Sequence, residues 1–210
     1  MSKFTALLPV LAVVCLSSAV YPQSSNSGSF KVGVASRRVV PPEPYDWRGA
    51  TMHALLGVVW SPADGDASAK PQLIPPFGTP IFEAAAAAAN AKIATSPAKF
   101  PLILLSHGTG GTVQSLAWFA TALASRGYIV AGVNHPGNNA IEPHTVQGFT
   151  LWWQRAKDMS ALLDAMLADQ EFGPRIDTLR IGAAGFSLGG YTVIELAGGI
   201  TASRHFIEAC

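Results

Sequence analysis

An α/β fold, a mostly parallel sheet with helices on both faces, is predicted by three observations. Continuous apolar runs, as in strands covered on both sides, alternate with helix-period runs through the second half of the chain. Of the 210 residues, 49% are apolar and only 13% charged, enough for one substantial core. A third strand-like run, Leu179 to Ala184, feeds through Gly185-Phe186-Ser187-Leu188-Gly189 into an apolar helix, the strand-to-helix step of a right-handed crossover.

The elements follow in order. Lys3, the apolar run Ala6 to Leu16 and the small residues Ser17-Ser18-Ala19 have the form of a signal peptide over residues 1–19. The run is short for a spanning helix of ~20 residues, and Pro9 interrupts it, so no stable membrane span is expected. Cys15 is a weak lipoprotein candidate because Val14 before it is bulky. Removing Lys3 from the 14 basic side chains leaves 13 against 13 acidic ones, a formally neutral mature chain. Residues 20–28 are a polar, serine-rich spacer, and 29–210 are expected to form one domain. Export to the periplasm or medium follows from the signal.

Ser29 to Ala35 alternates with period two, a half-buried strand, and His53 to Trp60 is a second run, closed by a turn at Ser61-Pro62-Ala63-Asp64-Gly65. Both read as opening antiparallel strands. Pro75-Pro76, Gly78 and Pro80 mark loop, and the six alanines between Glu83 and Lys92 favour a surface helix or flap. Leu102-Ile103-Leu104-Leu105 is a buried strand, Ser115 to Arg126 an amphipathic helix capped at Gly127, and Tyr128 to Val133 the next strand. Trp152 to Ala168 is a helix with Met159, Leu162, Leu163, Met166 and Leu167 inward and Asp158, Asp164 and Asp169 on a solvated face. Tyr191 to Ala197 is the helix behind the last strand.

The chemistry centres on Gly185-Phe186-Ser187-Leu188-Gly189. A serine hydroxyl is a weak nucleophile until a base takes its proton, and Gly-x-Ser-x-Gly can hold it out on a sharp turn where a base can reach it. The glycines are required because side chains there would strike the neighbouring strand or helix, and the N–H of Leu188 points at the same spot. The bland alternative is a serine that merely caps the following helix. Ser106-His107-Gly108-Thr109-Gly110-Gly111 supports the catalytic reading, because a glycine-rich turn after a strand brings further N–H donors to the site. It is not a phosphate loop: no Gly-Lys-Ser/Thr follows, and the dinucleotide spacing is absent. No basic run indicates nucleic acid, and no His, Cys, Asp or Glu cluster has metal-ligand spacing.

Phe100-Pro101-Leu102 through Gly111, then Asn134-His135-Pro136-Gly137-Asn138, then Gly185 through Gly190 resemble the α/β-hydrolase superfamily. More narrowly, with Trp153-x-Arg155-x-x-Asp158, they are similar to predicted dienelactone hydrolases, close to the platelet-activating-factor acetylhydrolases. The likeness spans roughly residues 29 to 200. It implies Ser187 as nucleophile, oxyanion-hole N–H groups from Thr109 and Leu188, and hydrolysis of a small carboxylic ester or lactone without metal or organic cofactor.

The triad order nucleophile, acid, histidine is not met within the chain. After Ser187 the acids are Glu195 and Glu208 and the histidine is His205. Glu195 is eight residues into the helix, about 12 Å along its axis. The acid and base are therefore expected downstream, on strands missing from a truncated domain, and a chain ending on the lone Cys210 fits that expectation. His107 and His135 read as structural or pocket-shaping residues, His53 and His144 have no evident partners, and Trp118, Trp152 and Trp153 read as core or pocket wall. A non-catalytic binding module and an inactive fragment are the competing expectations.

Overall fold

The structure is a computed structural model that describes residues 30–64, 68–74, 80 and 82–201. The expected signal 1–19 and spacer 20–28, together with Pro75, Pro76, Gly78, His205, Glu208 and Cys210, lie outside the described residues.

Among the described residues seven strands form one sheet: β1 (Lys31–Val39), β2 (Leu55–Ala63), β3 (Lys70–Ile74), β4 (Phe82–Ala89), β5 (Phe100–Ser106), β6 (Ile129–Val133) and β7 (Ile176–Gly185), in the spatial order β3-β4-β1-β2-β6-β5-β7. The apolar runs β6, β5 and β7 are parallel, as strands joined by helical crossovers must be, but only β6 is buried throughout and β7, expected to be buried, is exposed from Thr178 to Ile181. β1 and β2 pair antiparallel, and β2 joins the parallel half antiparallel to β6. The sheet is therefore mixed.

Helices α1 (Ala117–Ala124), α2 (Val146–Thr150), α3 (Arg155–Ala168) and α4 (Leu188–Leu196) connect or cover the strands. Alternation along the strands divides the core into two layers. Leu55, Val59, Leu102, Leu104, Ala131 and Val133 pack with Met159, Leu162 and Met166 of α3. Val32, Val58, Trp60, Leu105 and Val130 pack with Ala117, Ala120 and Ala124 of α1. The two layers confirm helices on both faces.

Four local readings are corrected. The alanine-rich segment is strand β4, not a helix or flap; it pairs antiparallel with β3 and parallel with β1. Alanine's helix preference is a fraction of a kcal/mol per residue, which ladder bonds and burial outweigh. The short side chains of Ala84 and Ala87 also let α1 approach closely. Ser61-Pro62-Ala63 continues β2 rather than turning. β6 pairs with β2 only as far as Trp60, so the missing N–H of Pro62 breaks no bond with β6. Leu167 is outward-facing. Asp158 belongs to the core, as described below.

Pro101 explains an irregularity in the β5–β7 ladder. Phe100 pairs with Ile176, but Leu102 pairs with Ile181, so Asp177 to Arg180 bulge outward beside the residue that has no N–H. Leu179 at the tip is exposed, and β7 forms one edge of the sheet among the described residues.

Candidate active site

β7 ends at Gly185 and α4 starts at Leu188, so Ser187 occupies a turn two residues long. Its backbone is at φ 53° and ψ −121°, a region that a residue with a Cβ occupies only when its surroundings force it. The forcing contacts are visible. A Cβ on Gly185 would lie 2.2 Å from the carbonyl of Gly189, and one on Gly189 would lie 2.0 Å from the carbonyl oxygen of Ser106. Only glycine lets the turn close this tightly against β5.

The consequence is an exposed Ser187 side chain that makes no capping bond to α4. The helix-cap alternative is thereby removed. α4 nevertheless starts directly behind the hydroxyl, so its N-terminal dipole faces the same point.

The loop after β5 lies beside this turn. A Cβ on Gly108 would meet the Ser187 Cβ at 3.3 Å and the Phe186 ring at 3.2 Å. Thr109 is exposed there. The N–H groups of Thr109 and Leu188 donate no hydrogen bond among the described residues.

The loop after β6 clamps the loop after β5. Asn134 Oδ1 accepts from Val113 N–H (2.9 Å), and Asn138 Oδ1 accepts from Gly110 N–H (2.6 Å). Thr112 caps the short 3-10 turn Val113–Leu116 by accepting from Ser115 N–H. These bonds account for the asparagines in Asn134-His135-Pro136-Gly137-Asn138.

Behind the loops lies a buried polar cluster. Asp158 is fully buried and accepts from Arg48 Nη2 at both carboxylate oxygens (2.9 and 2.8 Å) and from the Tyr45 hydroxyl (2.5 Å). His135 Nδ1 sits 2.7 Å from Asp158 Oδ2. An acceptor-only carboxylate requires that nitrogen to carry the proton, so His135 Nε2 accepts from the Ser106 hydroxyl at 2.9 Å. His107 is fixed in the same way: its Nδ1–H donates to the Gly108 carbonyl (2.7 Å), and its Nε2 accepts from His135 N–H (3.2 Å). Arg155 Nη2 donates to the His107 carbonyl.

Burial sets the protonation states. It holds both histidines well below their ordinary value, with the Arg155 guanidinium pushing the same way, so both are neutral. It lowers Arg155 to about 9, against the pull of Asp158. Burial also pushes the Asp158 carboxyl up, opposed by Arg48 and Tyr45.

Ser187, Thr109 and Leu188 thus meet in one region. His107 and His135 use both ring nitrogens elsewhere. His53 stacks on Trp47 at 5.3 Å, and His144 packs on Phe149 at the rim of Gly110. Among the described residues no histidine hydrogen-bonds to Ser187. Ser106, Arg48, Tyr45 and Asp158 escaped the sequence reading. The one available signal was Arg155-x-x-Asp158, whose i, i+3 spacing puts both on one helix face without saying that the face is buried. Among the described residues no group of three His, Cys, Asp or Glu could hold a metal ion.

The family model of platelet-activating factor acetylhydrolase, isoform II, matches residues 81–149. Lipase 1 of Moraxella sp. (strain TA144) is 36% identical over 86 residues, 40% of this chain and 23% of that protein. Cutinase est1 of Thermobifida alba is 32% identical over 97 residues, 45% of this chain and 29% of that protein. A ferulic acid esterase from Streptomyces cinnamoneus superposes with a TM-score of 0.69 at 25% identity, covering 83% of this chain and 57% of that one. The chain matches about a quarter of the length of these curated relatives. With the mixed sheet and the serine turn, these likenesses define its class: the chain belongs to the α/β-hydrolase superfamily.

Proposed function

We propose that the protein is a serine ester hydrolase in which Ser187 is the nucleophile and the N–H groups of Thr109 and Leu188 form the oxyanion hole. The observation that carries this is Ser187 itself: an exposed hydroxyl on a strained backbone, without a capping bond, at the start of a helix. Its Oγ attacks the ester carbonyl, and the developing oxyanion is held by the two N–H donors. A histidine takes the Ser187 proton and passes it to the leaving alcohol, and water then hydrolyses the acyl-enzyme.

That histidine and its acid follow Ser187 in the order acid, then histidine, on segments outside the described residues. Their expected place is the open side of β7, where Leu179, Ile181 and, on α4, Ile194 are exposed. The substrate is a small carboxylic ester or lactone, in line with the dienelactone-hydrolase-like motifs and the ester hydrolases it is similar to. Cleavage of a signal over residues 1–19 and export complete the proposal. No helix among the described residues is long and apolar enough to cross a membrane.

The test is turnover of short-chain p-nitrophenyl esters by the full-length gene product and by Ser187→Ala. Turnover in the wild type and its loss in the variant is expected. A folded wild type without turnover would favour a binding module.

A further inference from the structure

The protein contains a complete Ser–His–Asp hydrogen-bond chain that does not include Ser187. Ser106 Oγ, His135 Nε2, His135 Nδ1 and Asp158 Oδ2 are linked at 2.9 and 2.7 Å, the connectivity of a catalytic triad. All three residues have no exposed surface. Ser106 ends β5, paired to Gly185, with its carbonyl accepting from Phe186 N–H. No ester can reach its hydroxyl.

We infer that Ser106, His135 and Asp158 are positioning residues for the loop His107–Gly111, and through it for the proposed oxyanion donor at Thr109; the inference rests on the ester-hydrolase reading. The chain holds the loop from its root. Asp158 orients the His135 ring, which grips the Ser106 side chain one residue before the loop. The His135 backbone also donates to the His107 ring, whose other nitrogen binds the Gly108 carbonyl. Arg155, one turn from Asp158 on α3, holds the carbonyl of His107 from behind. Arg48 and Tyr45 fix Asp158 from the segment before β2. The loop peptides thus have their orientation set by groups from three other parts of the chain.

An oxyanion hole works only if its donors are in place before charge develops, and displacement by about 1 Å can cost ~100-fold in rate. Loosening the root should therefore lower kcat while leaving KM nearly unchanged, because the donors act on the transition state more than on bound substrate.

The experiment compares Ser106→Ala, His135→Ala and His135→Gln in the full-length protein. Ser106→Ala removes one oxygen and is the variant most certain to fold. It should lower kcat about ten-fold with KM within about two-fold, while a fluorophosphonate still modifies Ser187. His135→Gln keeps an amide near the Ser106 hydroxyl and should recover part of what His135→Ala loses. Amide hydrogen exchange at residues 107–111 should quicken at least about ten-fold in Ser106→Ala while residues 102–105 are unchanged. Unchanged kcat, or unchanged exchange at 107–111, overturns the inference. Loss of fluorophosphonate labelling in folded Ser106→Ala also overturns it, by making Ser106 catalytic. If the wild type has no turnover, the ester-hydrolase reading fails, and the exchange rates alone decide whether these residues hold the loop.

Discussion

Gly189 is stacked against the main chain of Ser106: a Cβ on Gly189 would sit 2.0 Å from the Ser106 carbonyl oxygen. One contact therefore joins the serine turn to the strand that carries the proposed oxyanion loop. Because both sides are backbone, neither can move aside without shifting β5 or α4. Gly189→Ala should destabilise by about 3 kcal/mol or more, the upper end for overpacking, read from the midpoint of urea unfolding. A variant within about 0.5 kcal/mol of wild type would mean the turn is looser than described.

Arg48 and Arg37 are both paired but should differ sharply in their effect. The Arg48–Asp158 pair is buried, whereas Arg37 bridges Asp169 and Glu171 with a quarter of its side chain exposed. Arg48→Met strands a buried carboxylate and should cost roughly 3–5 kcal/mol. Arg37→Met should cost about 1 kcal/mol or less, because solvent screens its partners. Chemical denaturation of the two variants checks the contrast.

Acid should destabilise the fold below about pH 6.5, the ordinary histidine value. Burial depresses both His107 and His135 well below it, so between the unfolded and folded values the unfolded chain binds more protons. Stability is then fully present above pH 6.5 and falls as the pH drops, by up to about 1.4 kcal/mol per pH unit for each histidine. Denaturation midpoints at pH 7.5, 6.0 and 5.0 measure the slope. A flat profile would mean that the rings are not neutral and buried.

The alanine strand β4 buries Ala84, Ala87 and Ala88 and exposes Ala85, Ala86 and Ala89. Ala87 is buried under α1, and Ala86 beside it is exposed. Ala87→Asp should destabilise by several kcal/mol through an unpaired buried charge, and Ala86→Asp by about 0.5 kcal/mol or less. Thermal melts of the two variants check the contrast, and equal melting temperatures would contradict the packing of Ala87 under α1.

What could be read from the sequence divides along physical lines. Leu102–Leu105 and Tyr128–Val133 were legible because burial on both faces writes a continuous apolar run, whereas Leu179–Ala184, read the same way, lies on a sheet edge with Leu179 and Ile181 exposed among the described residues. The serine turn was legible because close backbone approach leaves glycine as the only choice. The alanine strand was not, since alanine carries no period and its state is decided by partners distant in the chain. Asp158 was misread for a related reason. A carboxylate at helical spacing looks solvated until Arg48, more than 100 residues away in sequence, is brought against it. The Ser106–His135–Asp158 chain likewise exists only after β5, β6 and α3 are assembled.

The most direct test of Ser187 as nucleophile is its covalent capture. The full-length gene product is treated with a fluorophosphonate, digested and mapped by tandem mass spectrometry. The adduct is expected on Ser187 within the peptide carrying Gly185 to Gly189, and on no residue of Ser187→Ala. An adduct on another serine, or none on a folded protein, would contradict the assignment.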